Sequence, residues 1–181
     1  DFASAWRDQQ RRLLQAGYKL KEGALHTPQG APVAFTILLN EPSDEKIALS
    51  LARNLRRLGI SARVQVMDSA QYQVRLNDFD FDMIMARWVN SLSPGNEQAI
   101  YWGTTAADTP GSRNYPGIKH PAVDALIPRI TTAEKREDLA TTVRALDRVL
   151  VWGAYSIVLP FFPADRLAVV PSLAWPKRLP N

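Results

Sequence analysis

A strand–helix–strand pattern between residues 33 and 68 constrains the fold of this chain most strongly. The segment VAFTILL (33–39) is apolar on both faces, which is typical of a strand buried inside a sheet. Residues 43–59 follow with a leucine-rich stripe at helical spacing, and ISARVQVMD (60–68) alternates apolar and polar residues as a strand does. Two strands joined by one helix through short loops pair in parallel with a right-handed crossover, so the pattern predicts an α/β fold.

The ends of this helix carry their own signals. Ser43 is a typical N-cap residue, and Asp44 and Glu45 would oppose the positive end of the helix dipole. Gly59 supplies the left-handed residue that commonly stops a helix, with Ile60 packing behind it. The sequence therefore predicts a helix from residue 43 to residue 59.

A third buried strand is predicted from Met83 to Ala86, ending near Trp88. The loop that follows lies just past the carboxyl end of this strand. In open α/β sheets, ligands bind in the crevice at that edge. The position of the loop therefore makes it the first candidate for a binding site.

The rest of the chain predicts four more helices, over 4–16, 69–76, 121–130 and 131–153, and closing strands over 154–162 and 166–170. Pro128 is expected to kink or end its helix. Thr131 and Glu134 have the spacing of a capping box and predict the start of the last helix. His120 precedes Pro121 and is expected to cap or abut a helix rather than to bind a metal.

Composition excludes several function classes. The chain has 181 residues, enough for one domain, and no cysteine, so disulfides and thiolate metal sites are ruled out. Its two histidines lie far apart, and no nucleophile elbow or nucleotide-binding glycine pattern is present. We therefore predict no enzyme activity, no metal and no cofactor. The net charge of +4 comes from residues interleaved on helix faces, which favours solvated surfaces over a nucleic-acid patch. A basic nucleic-acid-binding α/β module remains the alternative function.

The segment DFDFD places Asp78, Asp80 and Asp82 at alternating positions. On a strand their carboxylates would share one face, where hard oxygen ligands can hold a divalent cation. The favoured interpretation is a polar strand entrance, with Phe79 and Phe81 packing into the core. Asp80 and Asp82 are also the only candidates for an acid–base pair.

Aromatic and hydrogen-bonding side chains are concentrated in the loop after the third strand and in a second loop, SRNYPG (112–117). Aromatic walls bury ligand surface without requiring one ligand sequence, and amide, hydroxyl and carboxylate groups can satisfy an extended peptide. The alternative is that the rings form only the edge of the core and that Arg113 is a solvated charge. The candidate ligand-binding residues are Trp88, Asn90, Ser91, Asn96, Glu97, Tyr101, Trp102, Arg113, Asn114 and Tyr115.

Several segments in series carry a resemblance to a known family. They are LLQAGY, ALSLARNLRRLGISARVQVMDSAQY, DFDMIMARW, SLSPGNEQAIYWG, NYPGIKHPAVDALI and ALDRVLVWGAYSIVLPFF. In this order they resemble the C-terminal lobe of extracellular solute-binding protein family 5, the peptide- and nickel-binding proteins of ABC importers. The segment SLSPGNEQAIYWG is similar to the oligopeptide-binding branch that serves microcin- and murein-peptide importers.

The resemblance implies that residues 1–181 are a single α/β lobe of a larger, two-lobe type II periplasmic binding protein. The lobe would hold a mixed, mostly parallel sheet flanked by helices, and residues 171–181 would be a tail or a crossing to the missing lobe. It implies a non-catalytic, exported, periplasmic protein that captures peptide in an interlobe cleft. Its partners would be an ABC permease and ATPase rather than nucleic acid, and we expect a monomer.

One departure from the family pattern concerns the ligand's amino terminus. In dipeptide- and oligopeptide-binding members, an aspartate three residues after the strand-end tryptophan pairs with that amine. Counted from Trp88, this place is Ser91. Glu97 is a possible substitute, and the other interpretation is a peptide held mostly through its backbone, or a modified one.

Overall fold

The computed structural model describes residues 2–88, 93–159 and 170, with side chains described from residue 6 onward. Strands and helices alternate between residues 34 and 84, and the described part after residue 93 contains helices. The elements are α1 (Phe2–Gln15), β1 (Lys19–Lys21), β2 (Ala24–His26), β3 (Ala34–Leu39), a 3₁₀ turn (Pro42–Asp44), α2 (Glu45–Arg56), β4 (Ser61–Val66), α3 (Ser69–Asn77), β5 (Met83–Ile84), α4 (Glu97–Trp102), α5 (Thr104–Ala107), α6 (Pro121–Thr131) and α7 (Arg136–Trp152).

The central sheet has the strand order β4-β3-β5, and both neighbours of β3 are parallel to it. The register runs from Ala34 opposite Ser61 to Leu39 opposite Val66. The predicted strand–helix–strand unit and the α/β fold class are therefore confirmed. The third strand is shorter than predicted, because β5 pairs with β3 only over Met83–Ile84.

Strand β3 is buried on both faces, as its apolar sequence predicts. Ile37 and Leu39 pack with Ala48 of α2 on one face, whereas Leu38 packs with Tyr72 of α3 on the other. Each of these side chains is at most 6% exposed. The two-residue period of a strand thus supplies one core to each covering helix.

A second core joins α6 to α7 and contains the buried residues Ile118, Val123, Ile127, Ile130 and Leu146. The helix α6 begins at Pro121, where a missing N–H costs no helical hydrogen bond. The His120 Nδ1 atom accepts a hydrogen bond from the Ala122 N–H at 3.1 Å. This contact confirms the predicted capping role of His120.

The sequence predicts the C-terminal end of α2 correctly and its N-terminal end incorrectly. Gly59 has φ +81° and the Ile60 N–H bonds to the Leu55 carbonyl at 3.2 Å, so the predicted glycine stop is confirmed. The predicted Ser43 cap is wrong. Residues 42–44 form a 3₁₀ turn, and Asp44 makes no side-chain cap because its carboxylate is committed to a distant arginine.

The predicted start of the last helix is also wrong, whereas α6 ends within one residue of its predicted end. Pro128 lies inside α6, which continues to Thr131 because the flanking Ile127 and Ile130 are buried against α7. Thr131 caps no following helix, since its hydroxyl donates to the Pro128 carbonyl at 2.9 Å. Helix α7 instead begins at Arg136.

The segment DFDFD does not form the predicted strand. Asp78 ends α3, and Phe79 has φ +54°, so the chain turns here and the three carboxylates do not share a strand face. Asp80 pairs with Arg75 at 2.9 Å. No group of three or more potential metal-ligating residues occurs in the described parts of the chain.

The predicted closing strands fall mostly outside the described residues. Residues 154–159 are described and form no strand, which contradicts the first half of the strand predicted over 154–162. Residues 160–162 of that segment, and residues 166–169 of the second predicted strand, lie outside the described residues, as does the predicted tail at 171–181. Among the helices that are described, none has the length and apolar character that a membrane span requires.

Candidate functional site

Aromatic rings from three separate segments meet beyond the carboxyl end of β5. Trp88 follows β5, Tyr101 and Trp102 lie on α4, and Tyr115 lies in the loop before α6. The Trp88 ring centroid is 4.9 Å from that of Trp102 and 6.0 Å from that of Tyr115. Tyr101 contacts Trp102 at 6.1 Å, edge to face. We call these four residues the aromatic cluster.

The tryptophan N–H groups fix two rings of the aromatic cluster in place. Trp88 Nε1 donates to the Arg113 carbonyl at 3.1 Å, which ties the end of β5 to the loop before α6. Trp102 Nε1 donates to Gln98 Oε1 at 3.0 Å, one helical turn earlier. Trp88, Trp102 and Tyr115 remain partly exposed, whereas Tyr101 is buried.

Glu97 places a negative charge beside this cluster. Its Oε1 accepts from the Gly95 N–H at 2.8 Å and from Gln98 Nε2 at 3.1 Å. The Gly95 N–H is the largest cause that lowers the pKa of Glu97, so the carboxylate is ionised at neutral pH. No ion pair joins Glu97 to a lysine, arginine or histidine of the described residues.

Gln98 completes the polar side of the site, and the sequence did not single it out. It is 6% exposed and bridges the Glu97 carboxylate to the Trp102 indole through its two amide atoms. A buried glutamine between a carboxylate and a ring fixes both groups. The i, i+4 spacing of Gln98 and Trp102 on one helix is the signal that could have identified it.

Asn114 is used within its own loop. It is fully buried, its Nδ2 donates to the carbonyls of Gly103 and Ile118 at 2.9 and 3.0 Å, and its Oδ1 accepts from the Ile118 N–H at 2.9 Å. The neighbouring Tyr115 is thereby held against Trp88. Asn114 therefore lies close to the aromatic cluster and stabilises the loop that carries Tyr115.

The remaining candidate residues are placed less closely. Arg113 is exposed, contributes its carbonyl to Trp88 and forms no ion pair with the described residues. Asn96 is exposed at the start of α4 and makes no side-chain cap bond. Asn90 and Ser91 lie outside the described residues.

An ion pair that the sequence did not reveal anchors the base of Trp88. Arg87 Nη2 donates to Asp44 Oδ1 at 2.8 Å, joining the end of β5 to the start of α2. The Asp44 side chain is 9% exposed, and its hydrogen bond is the main cause that raises the pKa of Arg87. Tyr72 lies nearby, donates to the Met85 carbonyl at 3.4 Å and has a pKa raised mainly by burial.

Two surface depressions lie elsewhere on the described parts. One of about 370 Å³ is bordered by Thr36, Arg75 and the 79–82 turn. The other, of about 500 Å³, lies between α2 and β4. Neither includes a candidate ligand-binding residue. In the described parts of the chain, the aromatic cluster presents three partly exposed rings, those of Trp88, Trp102 and Tyr115.

Comparison with known families decides what kind of chain this is. Residues 9–110 match the family described as "Bacterial extracellular solute-binding proteins, family 5 Middle". The chain belongs to this family. Membership of this family supports a binding role and does not favour the nucleic-acid alternative.

Individual relatives agree with the assignment of this chain to the family 5 solute-binding proteins. A putative binding protein of Brucella melitensis is 45% identical over 168 residues, covering 93% of this chain and 27% of the relative. The peptidoglycan-binding protein YepA of Agrobacterium fabrum is 40% identical over 157 residues, covering 87% of this chain and 26% of the relative. The chain thus spans about a quarter of the length of these curated relatives.

A solved structure shares the fold of the family 5 chain. The oligopeptide-binding protein AppA of Bacillus subtilis, in complex with a nonapeptide, superimposes with a TM-score of 0.70 at 21% identity. The match covers 80% of this chain and 29% of AppA. At this identity the likeness establishes the fold, and it confirms the mixed α/β architecture expected of a periplasmic binding protein.

Proposed function

We propose that this chain is one lobe of the substrate-binding component of an ABC-type oligopeptide importer. The lobe corresponds to residues 1–181, and the remainder of the protein supplies the opposite wall of a cleft. The protein acts in the periplasm, binds without catalysis and delivers peptide to a permease driven by an ATPase. Relatives named for binding peptide or peptidoglycan support this class of ligand.

The observation that carries the proposal is the pairing of the aromatic cluster with an ionised carboxylate. Three partly exposed rings offer apolar surface to peptide side chains of varied sequence. Glu97 lies at the side of these rings without a cationic partner among the described residues. A peptide amino terminus has the charge and hydrogen-bond donors that this carboxylate lacks.

Not every candidate residue contacts the ligand in this proposal. Trp88, Glu97, Trp102 and Tyr115 form the contact surface, and Asn114 shapes the loop that carries Tyr115. Tyr101 supports Trp102 from within the core. Asn96 and Arg113 contact the ligand from the exposed surface, and Asn90 and Ser91, which lie outside the described residues, stay candidate ligand residues.

The experiment is a titration of the complete protein with the peptides that co-purify with it. Trp88→Ala should weaken binding by about 1–3 kcal/mol, roughly 5- to 150-fold, because it removes the central ring of the cluster. Trp6→Ala is the matched control, since Trp6 packs on Arg57 and not on the cluster. Equal affinities for the wild type and Trp88→Ala would show that Trp88 only fills the core edge.

A further inference from the structure

A groove between α2 and the edge strand β4 carries three arginines that the peptide site does not use. It has a volume of about 500 Å³. Arg53 and Arg56 border it from α2, and Arg63 borders it from β4. Ala62 and Val64 also line it, so apolar surface accompanies the positive charge.

The backbone of β4 is unpaired along this groove within the described residues. The strand order β4-β3-β5 leaves β4 with one neighbour. The Ser61 N–H donates to the carbonyl of Val33, which precedes β3, and the Met67 N–H donates to the carbonyl of Leu39 in β3. In a parallel ladder, alternate residues bond to the same neighbour. The N–H and C=O groups of Ala62 and Val64 therefore point away from β3, toward the groove.

The three arginines have no acidic partner in the described parts of the chain. Arg53 and Arg56 also lie in the last turn of α2, where the helix dipole favours positive charge. The dipole does not account for Arg63, which lies on a strand. A guanidinium group offers a planar pair of donors that fits a carboxylate, so three in one groove favour an acidic occupant.

Acidic residues are scarce in the undescribed parts of the chain, which include Asp1. After residue 159 the sequence contains one acidic residue, Asp165, and three basic residues, Arg166, Lys177 and Arg178. Residues 89–92 carry no charge. A segment rich in carboxylates therefore matches the three arginines better than these sequences do.

We propose that this groove docks an extended acidic segment of a partner protein, which adds as a strand to the open edge of β4. The segment's backbone pairs with the Ala62 and Val64 amide and carbonyl groups. Its carboxylates bind Arg53, Arg56 and Arg63, and its apolar side chains lie on the groove between α2 and β4. This site is separate from the peptide site proposed above and does not depend on it.

The test uses the 181-residue chain, the complete protein and a synthetic nine-residue peptide in which glutamate alternates with valine or threonine. Amide hydrogen exchange should slow at Ala62 and Val64 by at least about fivefold when the peptide is added. The same peptide, N-methylated at alternate residues, should lose this protection because it cannot complete the strand ladder. Protection that is absent with the unmodified peptide would overturn the proposal.

Charge is tested separately from strand pairing. The double variant Arg53→Glu and Arg56→Glu should bind the peptide at least about tenfold more weakly. The control is Arg129→Glu with Arg144→Glu, exposed arginines on α6 and α7 with the same change of charge. An equal loss in both double variants would show general attraction by a basic protein and would overturn the proposal. Circular dichroism would verify that each variant folds.

Two further outcomes distinguish other occupants. The complete protein should bind the acidic peptide as the isolated chain does. Binding by the isolated chain alone would mean that another part of the same protein covers the groove, and the proposal would fail. A thymidine oligonucleotide that displaces the peptide and binds more tightly through Arg53 and Arg56 would also overturn it.

Discussion

The sheet and the aromatic cluster are held together by different forces, although they lie next to each other. In the sheet, β3 is fixed by apolar side chains buried on both faces. Around the aromatic cluster, Trp102 and Tyr115 also pack against apolar cores, and a few polar contacts fix their surroundings. These contacts join Asn114 to Ile118, Trp102 to Gln98, and Arg87 to Asp44. Burial against a sheet tolerates exchange among apolar residues, whereas each polar contact depends on one pair of atoms.

The largest effect is expected in the sheet. Leu38→Ala should lower the free energy of unfolding by about 2–5 kcal/mol, because Leu38 is 1% exposed and its removal leaves a cavity between β3 and α3. Leu49→Ala is the control, at 45% exposure on α2, and should change stability by less than about 0.5 kcal/mol. Equal losses in urea unfolding would contradict the placement of β3 at the centre.

The second effect tests the polar support of the site. Asn114→Ala should cost about 2–4 kcal/mol, since two carbonyls and one N–H lose their partner in a buried loop. It should also reduce peptide binding by the complete protein. Asn96→Ala, at an exposed position without a cap bond, should leave stability unchanged. If Asn114→Ala were as stable as Asn96→Ala, the buried polar contacts of Asn114 would not stabilise this region as proposed.

A smaller effect is expected at the ion pair below Trp88. Arg87→Met should lower stability by about 1–2 kcal/mol, because it leaves the Asp44 carboxylate, 9% exposed, without its partner. The arginine itself is 68% exposed, so solvent screening keeps the loss modest. Thermal unfolding would measure it, with Arg129→Met as the control. No difference between the two variants would show that the pair contributes nothing.

The smallest effect concerns acid sensitivity at the contact between α5 and α6. Hydrogen bonds from the Thr104 hydroxyl and N–H lower the pKa of Asp124 below its ordinary value of 3.8. A lowered folded-state pKa gives stability that is present above the ordinary pKa and is lost as the pH falls through the folded value. Asp124→Asn should therefore be less stable at neutral pH and lose less stability on acidification. The prediction is contradicted if the free energy of unfolding falls equally in the wild type and in Asp124→Asn between pH 7 and pH 3.

The sequence predicts what depends on periodicity. The parallel β3–α2–β4 unit, the Gly59 stop and the His120 cap each follow from residues close together in the chain. One error arose where a local signal met a distant partner, and another where the backbone turned. Asp44 would suit a helix start, but Arg87, forty-three residues away, binds it. The alternation in DFDFD is typical of a strand, but a positive φ at Phe79 turns the chain.

The sequence predicted which residues lie at the candidate site better than it predicted what each of them does. Trp88, Trp102 and Tyr115 were singled out from the sequence, and the structure brings their rings together. Gln98 was missed, although its i, i+4 spacing from Trp102 was a signal, because its burial and its bridge to Glu97 appear only in the folded chain. Asn114 was identified as a ligand residue, yet its burial within the loop becomes visible only when the loop's backbone is traced.

The central claim is that the aromatic cluster and Glu97 form half of a peptide-binding cleft. The most direct test compares Glu97→Gln with the wild-type complete protein, using one peptide with a free amino terminus and the same peptide acetylated there. The account predicts that the substitution weakens the free-amine peptide by about tenfold and leaves the acetylated peptide unchanged. Equal affinities of both peptides for both proteins would contradict it.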